Sequence, residues 1–264
     1  MIEELVIGAG AATVGFIYAR QRRASLYRDF ARRLIHLAGS VPDLRPLAER
    51  EPPPFDDLLT TVPDLLPTPA FAALKAEAEG LAKPERSFVP AHKKGGTVAY
   101  DTLMSSAPAI VGLYHSPYFQ GFVSRLVGAA VTPTPIHDQS SLSVLVYDKP
   151  GDHIGWHYDY NFYRGRHFTV LLMLVNAGRA AAGLSHGETR ARLGGSEIAV
   201  RAAPNTLTVF EGARVYHKAT PIEAGEMRLV LSMTYCTDPR ALWWQGVSRR
   251  IKDTAYFGVR ALWT

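Results

Sequence analysis

The sequence predicts an α+β fold with a mainly β core, in which helices come first and a β-sandwich or barrel follows. Apolar residues recur at helical spacing in residues 70–81 and 118–126. From Ser141 onward, turn residues separate short apolar and β-branched runs, namely SLSVLVY, FTVLLMLV, SEIAVRA, TLTVFEG, ARVYHKA and MRLVLSMTY. The unbroken run FTVLLMLV indicates a strand that is buried on both faces.

Composition and charge indicate a folded protein with a basic balance. The 264 residues are 47% hydrophobic and 20% charged, which excludes a largely disordered chain. The net charge of +5 and the pI near 9.3 suit an acidic substrate or an anionic membrane surface. The sequence has no zinc-finger spacing, no RNA-binding aromatic motif and no long basic helix, so we expect no nucleic-acid partner.

A single cysteine, Cys236, excludes an internal disulfide framework and favours a reducing compartment. It lies in the strand-like run MRLVLSMTYC, where we expect a buried, small apolar side chain. The sequence therefore predicts a cytoplasmic location.

Residues 1–23 form an apolar N-terminal segment that is a candidate membrane anchor. The uncharged run LVIGAGAATVGFIYA is followed at once by Arg20, Arg22 and Arg23. It is shorter than the ~20 apolar residues of a spanning helix, but the arginines would hold the rest of the chain on the cytoplasmic side. We therefore expect a cytoplasmic protein, with attachment to the cytoplasmic face of a membrane as the alternative.

Two further units follow this segment. Residues 24–68 combine a basic amphipathic helix with a proline-rich stretch, which includes Pro52, Pro53 and Pro54 and is interpreted as a linker or an extended wrap. We place the main domain at residues 69–264, with its β core at 141–238.

Three residues predict a metal site in the β-rich half. His157 and Asp159 lie two residues apart in GWHYDY, so their side chains project from the same face of an extended strand. An iron(II) that activates dioxygen takes two histidines and one carboxylate on one face. His217, in the later segment ARVYHKATPI, is the best third ligand. Arg228 lies eleven positions after His217 and offers a two-pronged contact for a dicarboxylate.

The span from Leu145 to Thr234 resembles the 2-oxoglutarate and iron(II)-dependent oxygenases, particularly the prolyl 4-hydroxylase-like branch. The similar segments are LVYDKPGDHIGWHYDY, RHFTVLLMLVNAG, GETR, NTLTVFEG and HKATPIEAGEMRL. The resemblance implies a double-stranded β-helix (jelly roll) with N-terminal support helices. It also implies iron(II) as cofactor, 2-oxoglutarate and O2 as co-substrates, and ascorbate as a candidate reductant.

The resemblance also implies roles for individual residues. His157, Asp159 and His217 would bind the metal, and these three with Arg228 would form the catalytic set. Arg228, Tyr147 and Thr169 would bind 2-oxoglutarate. The usual outcome is hydroxylation, with decarboxylation of 2-oxoglutarate to succinate and CO2. Related halogenases have a small residue in place of Asp159, so we expect no halogenation.

The substrate is open at this point. Arg228 stands where prolyl hydroxylases usually have lysine, and Trp156 immediately precedes the HxD pair. Both departures from the family pattern argue against peptidyl-proline as the substrate. A small molecule, a lipid or another peptide stays open. Basic residues after the metal motif and in the 177–195 stretch could line a pocket for an anionic or polar substrate, namely Arg164, Arg166, His167, Arg179, Arg190 and Arg192; the alternative is a solvated loop. The alternative function is a non-catalytic metal-binding β-barrel, which would need neither Arg228 nor Tyr147.

Overall fold

The computed structural model describes residues 18, 21, 24–25, 27–37, 40–56, 58–81, 84–89, 92–241 and 245. The candidate anchor at residues 1–23 therefore lies almost entirely outside the described residues. Among the residues that are described, no helix is both long enough and apolar enough to cross a membrane.

Twelve antiparallel strands and five labelled α-helices make up the main body. The helices are α1 (Pro46–Glu49), α2 (Thr68–Gly80), α3 (Tyr100–Ser106), α4 (Pro108–His115) and α5 (Pro117–Val127). The strands are β1 (Leu59–Val62), β2 (Glu85–Val89), β3 (Lys93–Val98), β4 (Thr132–Pro133), β5 (Leu142–Tyr147), β6 (His153–His157), β7 (His167–Ala177), β8 (Thr189–Leu193), β9 (Ser196–Val200), β10 (Leu207–Phe210), β11 (Tyr216–Ala219) and β12 (Met227–Cys236). A 3-10 turn, Ala181–Gly183, separates β7 from β8.

The strands form one curled sheet with the order β1-β10-β7-β12-β5-β3-β6-β11-β8-β9; β2 pairs with β3, and β4 with β12. Non-consecutive neighbours such as β5, β12 and β7 are typical of a jelly roll. The predicted double-stranded β-helix, with helices N-terminal to it, is confirmed.

Alternation along the central strands divides the interior into two environments. On β12, Leu229, Leu231 and Met233 join the large core beneath the helices, whereas Arg228 and Val230 face a cavity inside the curled sheet. The same alternation occurs on β5 and β7, and helices α2 and α3 contact β7 and β5. The prediction that FTVLLMLV is buried on both faces is confirmed, because ten of the eleven β7 residues are buried or half-buried.

The N-terminal helical residues 27–37 pack against this core. Phe30 meets the ring of Tyr100 edge-on, with ring centroids 5.3 Å apart, and Leu34 and Leu37 contact the same core. Among the described residues of this helix, Phe30, Leu34 and Leu37 therefore face protein, whereas Ile35 is 77% exposed.

The proline-rich stretch contributes to the sheet and to the core. Strand β1 pairs with β10 from Leu59↔Phe210 to Val62↔Leu207. Leu65 is 2% exposed, and its backbone N–H donates to the carbonyl of Asn205. The stretch is thus an extended wrap with its own core residues, while the domain boundary at residue 69 stays a prediction.

We expect Leu65→Ala to lower the free energy of unfolding by about 2–4 kcal/mol, because it removes a buried side chain whose site cannot fully collapse. Ile35→Ala, at an exposed position, should change it by less than about 0.5 kcal/mol. Urea unfolding of both variants checks this. Equal, small effects would mean that the stretch is a detachable linker.

His115 makes the stability of the core depend on pH. Its Nε2 lies 2.5 Å from the hydroxyl of Tyr100, and burial lowers its pKa from 6.5 to about 4. Because the unfolded chain binds the proton more readily, the stabilising contribution is complete above pH 6.5 and is lost as the pH falls towards 4.

We therefore expect acidification across that window to cost on the order of 3 kcal/mol through His115 alone. As the pH is lowered, the free energy of unfolding should decrease less steeply in the His115→Gln variant than in the unsubstituted protein. Urea titrations at a series of pH values measure both slopes, and parallel slopes would contradict this account of His115.

Candidate active site

Pairing of β6 with β11 brings the predicted metal ligands together. His157 and His217 are direct cross-strand partners, and their ring centroids lie 4.2 Å apart. Asp159 Oδ1 lies 3.5 Å from His157 Nε2 and 3.8 Å from His217 Nε2. One ligand atom from each residue falls within 4.8 Å of the others. His157 and His217, which are 60 positions apart in the chain, therefore lie in one site with Asp159.

Hydrogen bonds to backbone carbonyls orient both imidazoles. His157 Nδ1 donates to Gly155 O at 2.8 Å, and His217 Nδ1 donates to Val215 O at 3.0 Å. A proton held on Nδ1 leaves Nε2 with its lone pair, and in both rings Nε2 is the nitrogen that faces Asp159. Both histidines are thus in the tautomer that a metal requires.

A side-chain hydroxyl from β7 and a backbone carbonyl after β10 fix Asp159. Thr169 Oγ1 donates to Asp159 Oδ2, and the N–H of Asp159 donates to Gly212 O at 3.0 Å. Burial acts to raise the pKa of Asp159, but the adjacent groups, namely the rings of His157 and His217 and the hydroxyl of Thr169, hold it well below its usual range. The carboxylate is therefore ionised and offers Oδ1 to a cation.

The triad and Arg228 line the same cavity, which has a volume of about 400 Å³. Arg228 is 2% exposed and pairs with Tyr147 across β12 and β5. Its guanidinium carbon lies 5.5 Å from the Tyr147 ring centroid, and its Nε and Nη1 have no hydrogen-bond partner. Burial lowers the pKa of Arg228 and raises that of Tyr147 to about 12. The cavity thus contains a buried cation with two N–H groups that no acceptor in the described part of the chain satisfies.

Three other residues singled out in the sequence, Thr169, Trp156 and Cys236, lie in different places. Thr169 contacts Asp159, so the structure places it beside a metal ligand; its predicted contact with 2-oxoglutarate stays a prediction. Trp156 points away from the triad and stacks on Tyr216 at 5.2 Å, with the Arg192 guanidinium over its ring. Cys236 is buried in β12, as predicted.

Two of the arginines expected to face a substrate, Arg166 and Arg190, form ion pairs outside the cavity. Arg166 pairs with Glu211 at 3.0 Å, and Arg190 pairs with Glu188 and Glu197 at 3.0 and 3.1 Å. Neither arginine is among the described residues that line the cavity. His167, from the same predicted set, does line the cavity, so the expectation of a basic substrate pocket stays a prediction.

Sequence reasoning missed Lys93, which lies on β3 and lines the cavity. It is 6% exposed, and its Nζ donates to Thr97 Oγ1 at 2.7 Å. His92, beside it, meets the ring of His157 edge-on at 5.4 Å. The segment KKGGTV carries no local signal for this location, because only the pairing of β3 with β5 and β6 brings it to the site.

Comparison with known proteins supports the same fold. A family model described as Halogenase D matches residues 55–164. In sequence, no curated protein matches the chain significantly. The structure is similar to that of the non-haem α-ketoglutarate-dependent epimerase SnoN from nogalamycin biosynthesis, at 19% identity and a TM-score of 0.57, covering 73% of this chain and 80% of that chain.

Two further similar structures come from different organisms. An oxidoreductase of the 2OG-Fe(II) oxygenase family from Burkholderia pseudomallei is 16% identical, with a TM-score of 0.56 and coverage of 76% of this chain and 94% of that one. A prolyl hydroxylase from Trichoplax adhaerens, in complex with a hypoxia-inducible factor peptide fragment, is 15% identical, with a TM-score of 0.51 and coverage of 69% and 84%. The chain therefore has the double-stranded β-helix fold of the 2-oxoglutarate and iron(II)-dependent oxygenases.

Gly212 offers a test of how closely the site is packed. A Cβ at this position would lie 2.5 Å from both Asp159 Oδ2 and Thr169 Oγ1. We expect Gly212→Ala to displace the carboxylate and to lower the affinity for divalent metal by about 10-fold or more, as loss of a supporting contact does in other metal sites. Anaerobic calorimetric titration with iron(II) measures the change.

Gly80→Ala is the matched control, because a Cβ at Gly80 meets nothing within 4 Å. Its metal affinity should equal that of the unsubstituted protein. Unchanged affinity in Gly212→Ala, with the fold intact by circular dichroism, would show that close packing at Gly212 does not hold Asp159 in its metal-binding orientation.

Proposed function

We propose that this protein is an iron(II)- and 2-oxoglutarate-dependent dioxygenase that hydroxylates its substrate. The observation that carries the proposal is the buried Arg228, with unpartnered guanidinium nitrogens, in the same cavity as the His157, Asp159 and His217 triad. Leaving a buried cation without an acceptor is costly unless a ligand supplies one. A dicarboxylate that also reaches the triad meets this requirement.

The donor set fits iron(II). Two neutral imidazole nitrogens and one ionised carboxylate oxygen converge from one side, and this arrangement leaves positions open on the cavity side. When bound there, iron(II) would supply the activation of dioxygen that couples decarboxylation of 2-oxoglutarate to oxidation of a C–H bond. Thr169 would keep Asp159 in the orientation that binds the metal, and the two backbone carbonyls would keep both imidazole rings in place.

Arg228 would hold the far carboxylate of 2-oxoglutarate. Its Nε and Nη1 have no hydrogen-bond partner, and a guanidinium binds a carboxylate by a two-pronged, charge-assisted contact. Gly187 allows this arrangement, because a Cβ there would lie 2.9 Å from Arg228 Nη1. Tyr147 packs beside the guanidinium and excludes water from the contact, which strengthens it.

Two alternative functions differ from the proposal in specific ways. A non-catalytic metal-binding barrel would explain the triad but would have no use for the unpartnered Arg228. A halogenase is favoured by the family model that matches residues 55–164. In this chain, however, Asp159 lies in the triad and its carboxylate would occupy the position that a halide needs. Hydroxylation is therefore the proposed outcome.

The direct test is succinate formation from 2-oxoglutarate by the iron(II)-loaded protein after oxygen is admitted. We expect slow, iron-dependent turnover without substrate. His157→Ala should abolish it, and Arg228→Met should raise the KM for 2-oxoglutarate by about 10-fold to 100-fold, because a charge-assisted contact is lost. Arg166→Ala, at an arginine outside the cavity, serves as the control and should behave like the unsubstituted protein.

Three results would count against the proposal. Absence of succinate together with absence of 2-oxoglutarate binding would favour the non-catalytic barrel. Equal turnover in Arg228→Met would remove the assigned role of Arg228. A chloride-dependent change in the absorption spectrum of the iron(II) and 2-oxoglutarate complex would favour a halogenase.

A further inference from the structure

We propose that Tyr158 and Tyr160 form an aromatic platform at the mouth of the cavity, on which the planar, aromatic part of a small-molecule substrate stacks. This inference rests on the proposed function and names the substrate class of the same site. Its starting point is that these two tyrosines, which flank Asp159 in the sequence, are 56% and 62% exposed and also line the cavity. Side chains that are exposed and line a cavity lie where it opens to solvent.

The exposure of these two rings is unusual for their location. Seven large apolar side chains are exposed in the part of the chain that the structure describes, and Tyr158 and Tyr160 are the two of them that line the cavity. Exposed apolar residues that are scattered singly over a surface need no explanation. Exposed apolar residues grouped at the opening of a pocket are typical of a ligand-binding site.

Both platform rings rest on a further aromatic ring. The ring centroid of Tyr158 lies 4.9 Å from that of Tyr216, which stacks on Trp156 at 5.2 Å. The ring centroid of Tyr160 lies 4.8 Å from that of Phe162. These contacts position the platform before a ligand binds, so stacking on it costs less side-chain entropy than stacking on mobile rings.

The aromatic lining continues into the cavity. Phe162 and Phe210 are 4% and 0% exposed and both line the cavity, and the ring centroid of Phe210 lies 4.5 Å from that of His217. The cavity volume of about 400 Å³ is near the lower end of the range for small-molecule sites, and 2-oxoglutarate has to fit in it as well. Much of a substrate larger than a few atoms therefore has to lie at the mouth, against Tyr158 and Tyr160.

The charges beside the platform favour a neutral or anionic ring over a cation. Lys218 Nζ and the Arg192 guanidinium lie 4.6 and 4.5 Å from the Trp156 ring centroid. Arg192 has an ion-pair partner in Glu197 at 3.9 Å, whereas Lys218 has none in the described part of the chain. A cationic ligand stacked on the neighbouring rings would be repelled by Lys218.

Asp138 is the carboxylate of the cavity lining, outside the triad, that would attract a cation. It is 4% exposed and accepts hydrogen bonds from the Tyr163 hydroxyl at 2.7 Å and from the Ser140 N–H at 3.1 Å. These protein donors stabilise the carboxylate before any ligand enters. A cation is nevertheless a separate arm of the test, because aromatic rings also bind quaternary ammonium groups.

The test uses the full chain loaded with zinc(II), a redox-inactive ion that accepts the same ligand types, and saturated with 2-oxoglutarate. The probes are phenol beside cyclohexanol and 2-naphthol beside decahydro-2-naphthol, with tetramethylammonium as the separate arm. Saturation-transfer NMR titrations give the dissociation constants. We expect each aromatic probe to bind about 2-fold to 10-fold more tightly than its saturated partner, because stacking adds to the burial of apolar area.

Tyr158→Ala and Tyr160→Ala should each weaken the binding of 2-naphthol by about 3-fold or more, because each removes a ring of the platform. Tyr158→Phe and Tyr160→Phe keep the ring and should retain binding. Tyr118→Ala is the matched control. Tyr118 is 43% exposed, lies on α5 and is not among the cavity-lining residues that the structure describes. Binding in this control should equal that of the unsubstituted protein.

Four outcomes would overturn the inference: no probe binds; the saturated probes bind as tightly as the aromatic ones; tetramethylammonium binds more tightly than phenol; or 2-naphthol binding persists in both alanine variants. An equal loss of affinity for zinc(II) and for 2-naphthol in the alanine variants would assign the rings to support of Asp159 and would also overturn it. Failure of the proposed function is distinguishable, because the unsubstituted protein would then bind no 2-oxoglutarate and form no succinate.

Discussion

The structure depends on one constraint, which is that the central strands of the sheet are buried on both faces. Outward residues of β5, β7 and β12 pack beneath the helices, and inward residues line the cavity. Because side chains alternate along a strand, a shift of one residue in β12 would put Leu229 in the cavity and Arg228 in the apolar core. The burial of Leu229, Leu231 and Met233 therefore also determines where Arg228 points.

The same constraint accounts for the electrostatics of the site. Two aspartates, Asp138 and Asp159, and two buried basic residues, Arg228 and Lys93, line the cavity. Taking these charges out of water costs free energy, and that cost is offset when a metal and anionic ligands bind. The site is accordingly rigid before binding: Thr169 and backbone carbonyls hold the metal ligands, and Gly187 and Tyr147 pack against Arg228.

The β core and the His157 and Asp159 pair could be predicted from the sequence because their signals are local, whereas His217, 60 positions after His157, was chosen from its strand-like segment. An HxD pair on a strand puts both side chains on one face, and the alternation of apolar runs with turns identifies the β core. Lys93 could not be predicted, since its location depends on pairing with β5 and β6, which lie about 50 residues or more further along the chain. The ion pair of Arg166 could not be predicted either, because its partner Glu211 lies 45 residues further along the chain. Leu65 was missed because an extended wrap buries single side chains without periodicity.

We infer that one molecule of 2-oxoglutarate contacts both Arg228 and the metal held by the triad. Anaerobic calorimetric titration with 2-oxoglutarate and, separately, glutarate tests it most directly, using protein with and without iron(II). Glutarate has both carboxylates but lacks the keto oxygen needed for chelation. We expect iron(II) to increase the affinity of the protein for 2-oxoglutarate strongly and to change its affinity for glutarate much less. An affinity for 2-oxoglutarate that is independent of iron(II), or no binding at all, would contradict it.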